Sequence, residues 1–227
     1  MNLPVVVHRA RLGADEFRVI RPAEPLTHAA LADHDRYLGA YLDRSTARTI
    51  AGLWLLAARS PGSLVHLPMR TNRPPVGGSP AGESPAGESP AGVGSRLDLV
   101  LLHHSLQFAP SRWKQVRSRL DTGRPRTVRL PEAEQDGGAA IDYAARHYRE
   151  NRDLFHQHLH AETLFMTGST KVFRETAHHF LDVADRGPAH VPAHPGHAHY
   201  CTSLHANAGI LGNAREIHIE YCDRWTA

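Results

Sequence analysis

The chain has 227 residues, long enough for one good hydrophobic core or for two small ones. Its 41 % apolar and 22 % charged residues are ordinary for a globular protein, and no apolar run approaches the ~20 residues that a membrane helix needs. A net charge of only +3 gives no support to a dedicated nucleic-acid binder. The start of the chain lacks the pattern of a secretory signal, so we expect a cytoplasmic protein in which Cys201 and Cys222 are reduced.

Residues 1–70 predict strands and helices that begin the domain. Three short strands are predicted, over residues 5–12, 16–20 and 63–68. Residues 26–59 carry apolar side chains at helical spacing, so they predict helical structure, with Thr27 and Thr46 as helix N-caps.

Residues 71–95 interrupt this pattern with a five-residue repeat, SPAGE-SPAGE-SPAGV, over residues 79–93. The repeat offers little apolar surface to bury, and Pro and Gly recur in every copy. We therefore expect a disordered, extended linker between two parts of the domain.

Residues 96–227 predict an α/β core with a histidine-rich end. The predicted strands cover residues 97–102, 127–130, 163–167 and 216–222. The predicted helices cover residues 111–120, 141–159 and 169–183, the first capped by Ser111 and the last by Ser169 or Thr170. This alternation predicts an α/β (or α+β) fold: a single domain with a mixed sheet flanked by helices, to which the end of the chain adds an antiparallel pair of strands.

Histidine is the most unusual feature of the composition, because 12 of the 18 histidines lie in the last 81 residues. Imidazole binds transition metals and titrates near neutral pH, so this region is where chemistry is expected. The alternative is codon bias. The chain has 24 arginines against two lysines, as GC-rich codons would give, and the same bias would make the histidines incidental.

The segment HQHLH, residues 156–160, has two interpretations. On a helix, which the apolar spacing upstream favours, His156 and His160 lie one turn apart and both reach one metal ion. On a strand, His156, His158, His160 and Glu162 share one face. A solvated last turn of a helix is the alternative without a metal.

A second group of histidines follows in the loop after residue 190. His197, His199 and Cys201 alternate on one side of an incipient strand, and such an array can present tetrahedral ligands to a metal. His218 and Glu220 face the same cleft if their strand pairs with the strand of Cys201.

These segments together predict a site for zinc or another divalent transition metal. The predicted metal ligands are His156, His160, His197 and His199. The predicted catalytic residues are His104, Glu162 and Glu220, the two carboxylates serving as base or ligand beside the metal. Cys201 is an alternative nucleophile, although its sequence surroundings lack the helix start that would lower its pKa.

The end of the strand 97–102 is a third feature, because His103 and His104 follow its apolar residues. Open α/β sheets bind ligands beside the carboxyl ends of their strands. Side chains alternate, so one histidine lines such a site, and we predict His104, on the face of Leu102. Residues 98–130 resemble one stretch of class I methyltransferases: a strand ending in His, a helix, and a strand after a Pro/Gly turn. No glycine-rich cofactor loop precedes them, and no family is assigned.

Three function classes remain open from the sequence. The leading hypothesis is a metal-dependent hydrolase that uses the C-terminal histidines. The second is a non-catalytic small-molecule-binding or accessory protein with incidental histidines. The third is a group transferase with its ligand at the end of the strand 97–102. A small-molecule ligand is expected, and membrane or nucleic-acid partners are not. The sequence does not identify substrate, protein partners or oligomeric state.

Overall fold

The computed structural model describes residues 1–73, 75, 94–131, 141–194 and 200–225. The fold is α/β with helices packed on mixed sheets, as the sequence predicts, but the described residues form two sheets where one was predicted. The SPAGE repeat, and with it most of the predicted linker over 71–95, lies outside the described residues. None of the described helices is long and apolar enough to cross a membrane.

The larger sheet contains seven strands in the described part of the chain. They are β1 (Asn2–Leu12), β2 (Asp15–Pro22), β5 (Ser63–Leu67), β7 (Asp98–His103), β8 (Arg124–Arg129), β9 (His156–His160) and β10 (Thr163–Gly168). Their order across the sheet is β8-β1-β2-β5-β7-β10-β9. The β7–β10 pair is parallel, so the first residues of both strands lie at the same edge of the sheet.

The smaller sheet contains five described strands. They are β3 (Ala29–Asp33), β4 (Leu38–Leu42), β6 (Ser95–Arg96), β11 (Tyr200–Leu204) and β12 (Ile217–Tyr221). Their order is β11-β12-β4-β3-β6, and the last two strands of the chain form the antiparallel pair that the sequence predicts.

Helices fill the space between the two sheets. The helices in this space are α1 (Arg44–Arg59), α4 (Thr170–Thr176) and α5 (His178–Ala193). Helix α2 (Trp113–Ser118) instead covers the opposite face of the larger sheet, and α3 (Tyr143–Arg146) is a single helical turn. Every residue of α1 from Ile50 to Ala58 is buried, as expected of a helix enclosed on all sides. We call the sheet faces that point away from α1 the outer faces.

The N-cap of α1 is Asp43, whose carboxylate accepts a hydrogen bond from the Thr46 backbone N–H at 2.7 Å. The Thr46 hydroxyl in turn accepts one from the Asp43 N–H at 3.2 Å, which completes a capping box. The predicted N-caps are therefore wrong: Thr46 is the third residue of the helix, and Thr27 lies in a turn before β3.

The prediction of helical structure over residues 26–59 is correct for α1. It is wrong for the residues before α1, where β3 and β4 form a hairpin. Both strands are buried almost throughout, so their sequences, AALAD and LGAYL, show little alternation between polar and apolar residues. Short apolar runs of this kind do not distinguish a buried strand from a buried helix.

The predicted helix over 141–159 is also wrong. The only helical turn within residues 141–159 is α3. The segment HQHLH, residues 156–160, forms β9, an edge strand that pairs with β10. Ala161 and Glu162 make the turn between them, with φ of +47° and +57°. Two consecutive left-handed residues are what a two-residue β-hairpin requires, although Asn and Gly are the usual choices there. Without those residues the sequence carries no turn signal at this point.

The remaining predicted helix boundaries agree with the structure only in part. Ser169 caps α4 by accepting from the Val172 N–H at 3.2 Å, as predicted. Ser111 does not cap α2, which begins at Trp113 after a short 3-10 turn. Beyond the predicted end at residue 183, helix α5 continues for ten residues and includes Pro188 and Pro192.

Candidate functional site

Glu220 lies on the outer face of the smaller sheet. Side chains alternate along a strand, and on β12 Ile219 packs into the shared core, which puts His218 and Glu220 on the outer face. The predicted pairing with the strand of Cys201 is present, with Cys201 directly opposite Glu220. The strand β4 flanks β12 on its other side, and there Tyr41 is the residue paired with Glu220. Glu220 is therefore the middle of a row that crosses three strands.

The neighbouring row on this face consists of small side chains around His218. Ser203 lies opposite His218 on one side and Gly39 on the other. A Cβ atom added to Gly39 would approach His34 Nε2 and the Tyr41 ring to 3.0 Å. The missing side chain at Gly39 therefore gives these two rings the space they occupy over the sheet.

Four rings surround the Glu220 row. The His34 Nε2 atom lies 3.2 Å from the Tyr41 hydroxyl, within hydrogen-bond distance. The Tyr37 ring stacks on His34 at 4.9 Å and meets His218 edge-on at 6.4 Å. We call this group the Glu220 cluster; it consists of His34, Tyr37, Tyr41, Cys201, His218 and Glu220.

The electrostatics of the Glu220 cluster favour neutral acids. Glu220 is 4 % exposed, no described residue donates a hydrogen bond to its carboxyl group, and burial raises its pKa to about 7. Burial, followed by the Glu220 charge, also raises the pKa of Tyr41 and of Cys201. Tyr41 is thus a hydrogen-bond donor at neutral pH, and Cys201 is a thiol, which disfavours its use as a thiolate nucleophile.

The predicted metal ligands are only partly described. His156 and His160 lie on a strand, where residues four apart are separated by about 13 Å, so the one-turn helical arrangement on one metal ion is absent. The His156 Nδ1 atom is instead 3.0 Å from the Asn213 side-chain oxygen. His197 and His199 lie outside the described residues. Among the described residues, no three His, Cys, Asp or Glu side chains are arranged to hold a metal. The four-histidine site stays a prediction.

The pair His178–His179 belongs to neither predicted site. The centroids of the two rings lie 4.1 Å apart with the ring planes tilted, and His179 Nδ1 lies 2.8 Å from the Thr202 hydroxyl between α5 and β11. Burial lowers the pKa of His179 to about 3, and the charge of His178 acts in the same direction. His179 is therefore a neutral packing residue at physiological pH.

A second polar cluster lies on the outer face of the larger sheet, beside α2. Asp98, at the start of β7, is 4 % exposed and accepts hydrogen bonds from the Met69 and Arg70 N–H groups at 3.0 and 3.1 Å. Its other oxygen lies 3.4 Å from Arg117 Nη1 and 3.6 Å from both Arg70 Nε and His66 Nε2. One buried carboxylate thus faces two arginines and a histidine.

Hydrogen bonding assigns the tautomer of His66, which is 1 % exposed. Arg21 Nε donates to His66 Nδ1 at 3.0 Å, so the ring proton of the neutral histidine is on Nε2, toward Asp98. At 3.6 Å that nitrogen makes no hydrogen bond. Burial is the main cause that lowers the pKa of His66, and it outweighs the attraction of Asp98. His66 is therefore neutral at pH 7.

Glu162 belongs to this second cluster and not to the cluster of Glu220. Its carboxylate pairs with Arg70 Nη1 at 2.5 Å. His160 is also on this outer face, in a row with Thr163 and Asp98 across β9, β10 and β7. We call the group the Asp98 cluster; it consists of Arg21, His66, Arg70, Asp98, Arg117 and Glu162. The predicted catalytic carboxylates therefore lie on the outer faces of two different sheets.

His104 is exposed and lies in a short 3-10 turn that follows β7. The turn begins at His103, whose Nδ1 lies 2.7 Å from the Ser105 hydroxyl, and the two histidine rings pack at 4.3 Å. A groove of about 390 Å³ lies nearby, lined by Leu106 and by the Phe17 and Phe108 rings among others, but not by His104. A ligand beside this strand end stays a prediction.

Most residues of the Asp98 cluster, and the two tyrosines of the Glu220 cluster, were not predicted as site residues from the sequence. A signal existed for His66 and Asp98, because each is a polar residue next to the apolar residues of a strand that is buried almost throughout. Tyr37 and Tyr41 were hidden by the helical interpretation of residues 26–42. The three arginines come from separate elements, and no spacing in the sequence links them.

Comparison with protein-family models, with curated proteins and with solved structures finds no significant match to this chain. The function must therefore be inferred from the geometry of its own residues.

Proposed function

We propose that this chain is a hydrolase that acts on a small polar molecule, with Glu220 as the general base. One observation carries the proposal: Glu220 is 4 % exposed, accepts no hydrogen bond from a described residue, and lies between Tyr41 and Cys201 on an outer sheet face. A carboxyl group buried without a partner destabilises the folded protein, and such groups concentrate at functional sites.

The chemistry follows from the protonation states. A base works best when its pKa lies near the working pH, and the pKa of Glu220 is about 7. The Glu220 carboxylate takes a proton from a water molecule as the water oxygen attacks an electrophilic centre. The protonated carboxyl group then returns that proton to the leaving group. The Tyr41 hydroxyl, which stays protonated, donates a hydrogen bond to the oxygen that gains negative charge.

A metal-assisted form of the same reaction remains part of the proposal. His199 precedes Cys201 by two residues, and Cys201 lies directly opposite Glu220. A zinc ion held by His197 and His199, two of the four ligands that the sequence predicts, would polarise the substrate beside this base. Metal content of the purified protein, with activity measured after chelation and after zinc is restored, distinguishes the two forms.

The test compares the wild-type protein with Glu220→Gln on a panel of chromogenic esters, amides and phosphate esters. We expect hydrolysis of at least one class, a loss of about 100-fold or more in Glu220→Gln, and a pH–rate profile with a midpoint near 7. Glu24→Gln is the matched control, because Glu24 is exposed and has no ion pair among the described residues. Activity that Glu220→Gln retains, or no activity on the whole panel, would contradict the proposal and favour a binding protein.

A further inference from the structure

The Asp98 cluster carries more positive than negative charge. Three guanidinium groups, those of Arg21, Arg70 and Arg117, face two carboxylates, and His66 is neutral. Burial is the main cause that lowers the pKa of Arg21, and the like charge of Arg117 acts in the same direction against the attraction of Asp98, so these two guanidinium groups are close enough to repel one another. Partly buried charges of one sign destabilise a fold unless an anion compensates them.

The guanidinium groups also have unused hydrogen-bond donors. Each has five N–H bonds, and within the described residues Arg117 makes one long bond to Asp98 and Arg21 makes one to His66. The side chains of Arg70 and Arg117 are 31 % and 27 % exposed, so their free N–H groups are accessible from solvent. Arginine recognises oxyanions through two parallel hydrogen bonds, which suits it to phosphate and carboxylate groups.

The exposed surface of the Asp98 cluster already binds one carboxylate, that of Glu162. Its carboxylate is bound to Arg70 while its side chain is 71 % exposed, so the pair is screened by water and easily exchanged. Glu162 also lies in the strained left-handed turn after β9. A free anion with higher charge than a carboxylate would displace it and bridge Arg70 to Arg117, both of which face the same Asp98 oxygen.

We propose that the Asp98 cluster binds the phosphate group of a small molecule at Arg21, Arg70 and Arg117, in exchange for Glu162. A phosphate monoester carries a charge of about −1.5 to −2 at pH 7, which balances three arginines beside one aspartate. Asp98 and the neutral His66 hold the arginines in place from the buried side. This site is separate from the Glu220 cluster and does not depend on the function proposed for it.

Phosphate binding is measured by calorimetric titration and by the shift of melting temperature with inorganic phosphate, at constant ionic strength adjusted with chloride. We expect saturable binding to the wild-type protein, about tenfold weaker binding to Arg117→Gln and to Arg70→Gln, and tighter binding to Glu162→Gln. The last variant removes the competing carboxylate, so an increase in affinity would not arise from a merely structural role. Arg126→Gln is the control, because Arg126 is exposed on β8 without an ion pair among the described residues.

Three results would overturn the proposal. The first is no saturable phosphate binding to either the wild-type protein or Glu162→Gln. The second is equal loss of binding in Arg126→Gln and Arg117→Gln, which would indicate attraction to general positive charge. The third is acetate binding as tightly as phosphate, which would contradict the assignment to a phosphate group. If Arg117→Gln fails to fold, Arg117→Lys keeps the charge and is expected to bind more weakly, because it lacks the paired N–H groups.

Discussion

Replacement of Glu220 by glutamine should change how the stability of the protein depends on pH. The pKa of Glu220 is about 7 in the folded protein, against an ordinary value of 4.5 for the unfolded chain. The folded state therefore holds this proton more tightly, and the wild-type protein loses stability as pH rises from about 4.5 through about 7. Glutamine has no proton to lose and resembles the neutral acid, so Glu220→Gln does not suffer this loss.

The size of the effect follows from the shift in pKa. Each pKa unit corresponds to about 1.4 kcal/mol, so ionisation of Glu220 destabilises the folded state by about 3 kcal/mol above pH 7. Glu220→Gln should be more stable than the wild-type protein by that order at pH 8 and by only a small part of it at pH 5.

Urea denaturation at both pH values measures this effect, and the difference between variant and wild type cancels the titration of all other groups. Glu24→Gln, a change at an exposed carboxylate, should show no comparable pH-dependent gain. A stability difference between Glu220→Gln and wild type that is the same at pH 5 and pH 8 would show that the pKa of Glu220 is not raised by folding.

Three further changes test other parts of the structure, each by chemical denaturation. Asp98→Asn should destabilise the protein by about 1.5–3 kcal/mol, because it leaves partly buried arginines without their counter-ion; a loss below 1 kcal/mol would contradict the assigned ion pairs. Ala161→Asn should stabilise by about 0.5–1 kcal/mol, since Asn adopts the left-handed conformation at lower cost, and a loss of stability would contradict the assigned turn. Trp113→Phe should cost about 1 kcal/mol less than Trp54→Phe, because the Trp54 N–H donates to Thr176 at 2.8 Å whereas the buried Trp113 N–H has no described partner. Equal losses would show that the Trp113 N–H has a partner.

Local patterns in the sequence predict much of the fold correctly. The strand β7 has an uninterrupted apolar run, and Ser169 precedes the helical periodicity of α4, so both signals are local. The hairpin β3–β4 was not predicted, and the reason is physical: strands that are buried on both faces lose the polar–apolar alternation that identifies a strand. The strand β9 was predicted as a helix because the turn that follows it, at Ala161, contains neither Gly nor Asn to mark a hairpin.

The candidate sites could be predicted only in part. The sequence identifies Glu220, and the alternation in β11 and β12 supports its position opposite Cys201. The partners of Glu220 on β4 depend on a parallel pairing between residues far apart in the chain, which no local pattern encodes. The same holds for Asp98, whose neighbouring arginines come from different elements. Sites built by tertiary pairing therefore lie beyond periodicity and motif spacing.

The proposed role of Glu220 as a general base requires that its carboxyl group exchanges a proton near neutral pH. The most direct measurement is a pH titration of the ¹³C-labelled glutamate carboxyl signals by NMR, with Glu220→Gln to assign the signal of that residue. The structure predicts a midpoint at about 7 for Glu220. A midpoint at the ordinary glutamate value, 4.5, would show that burial does not raise the pKa of Glu220 and would exclude Glu220 as a general base at neutral pH.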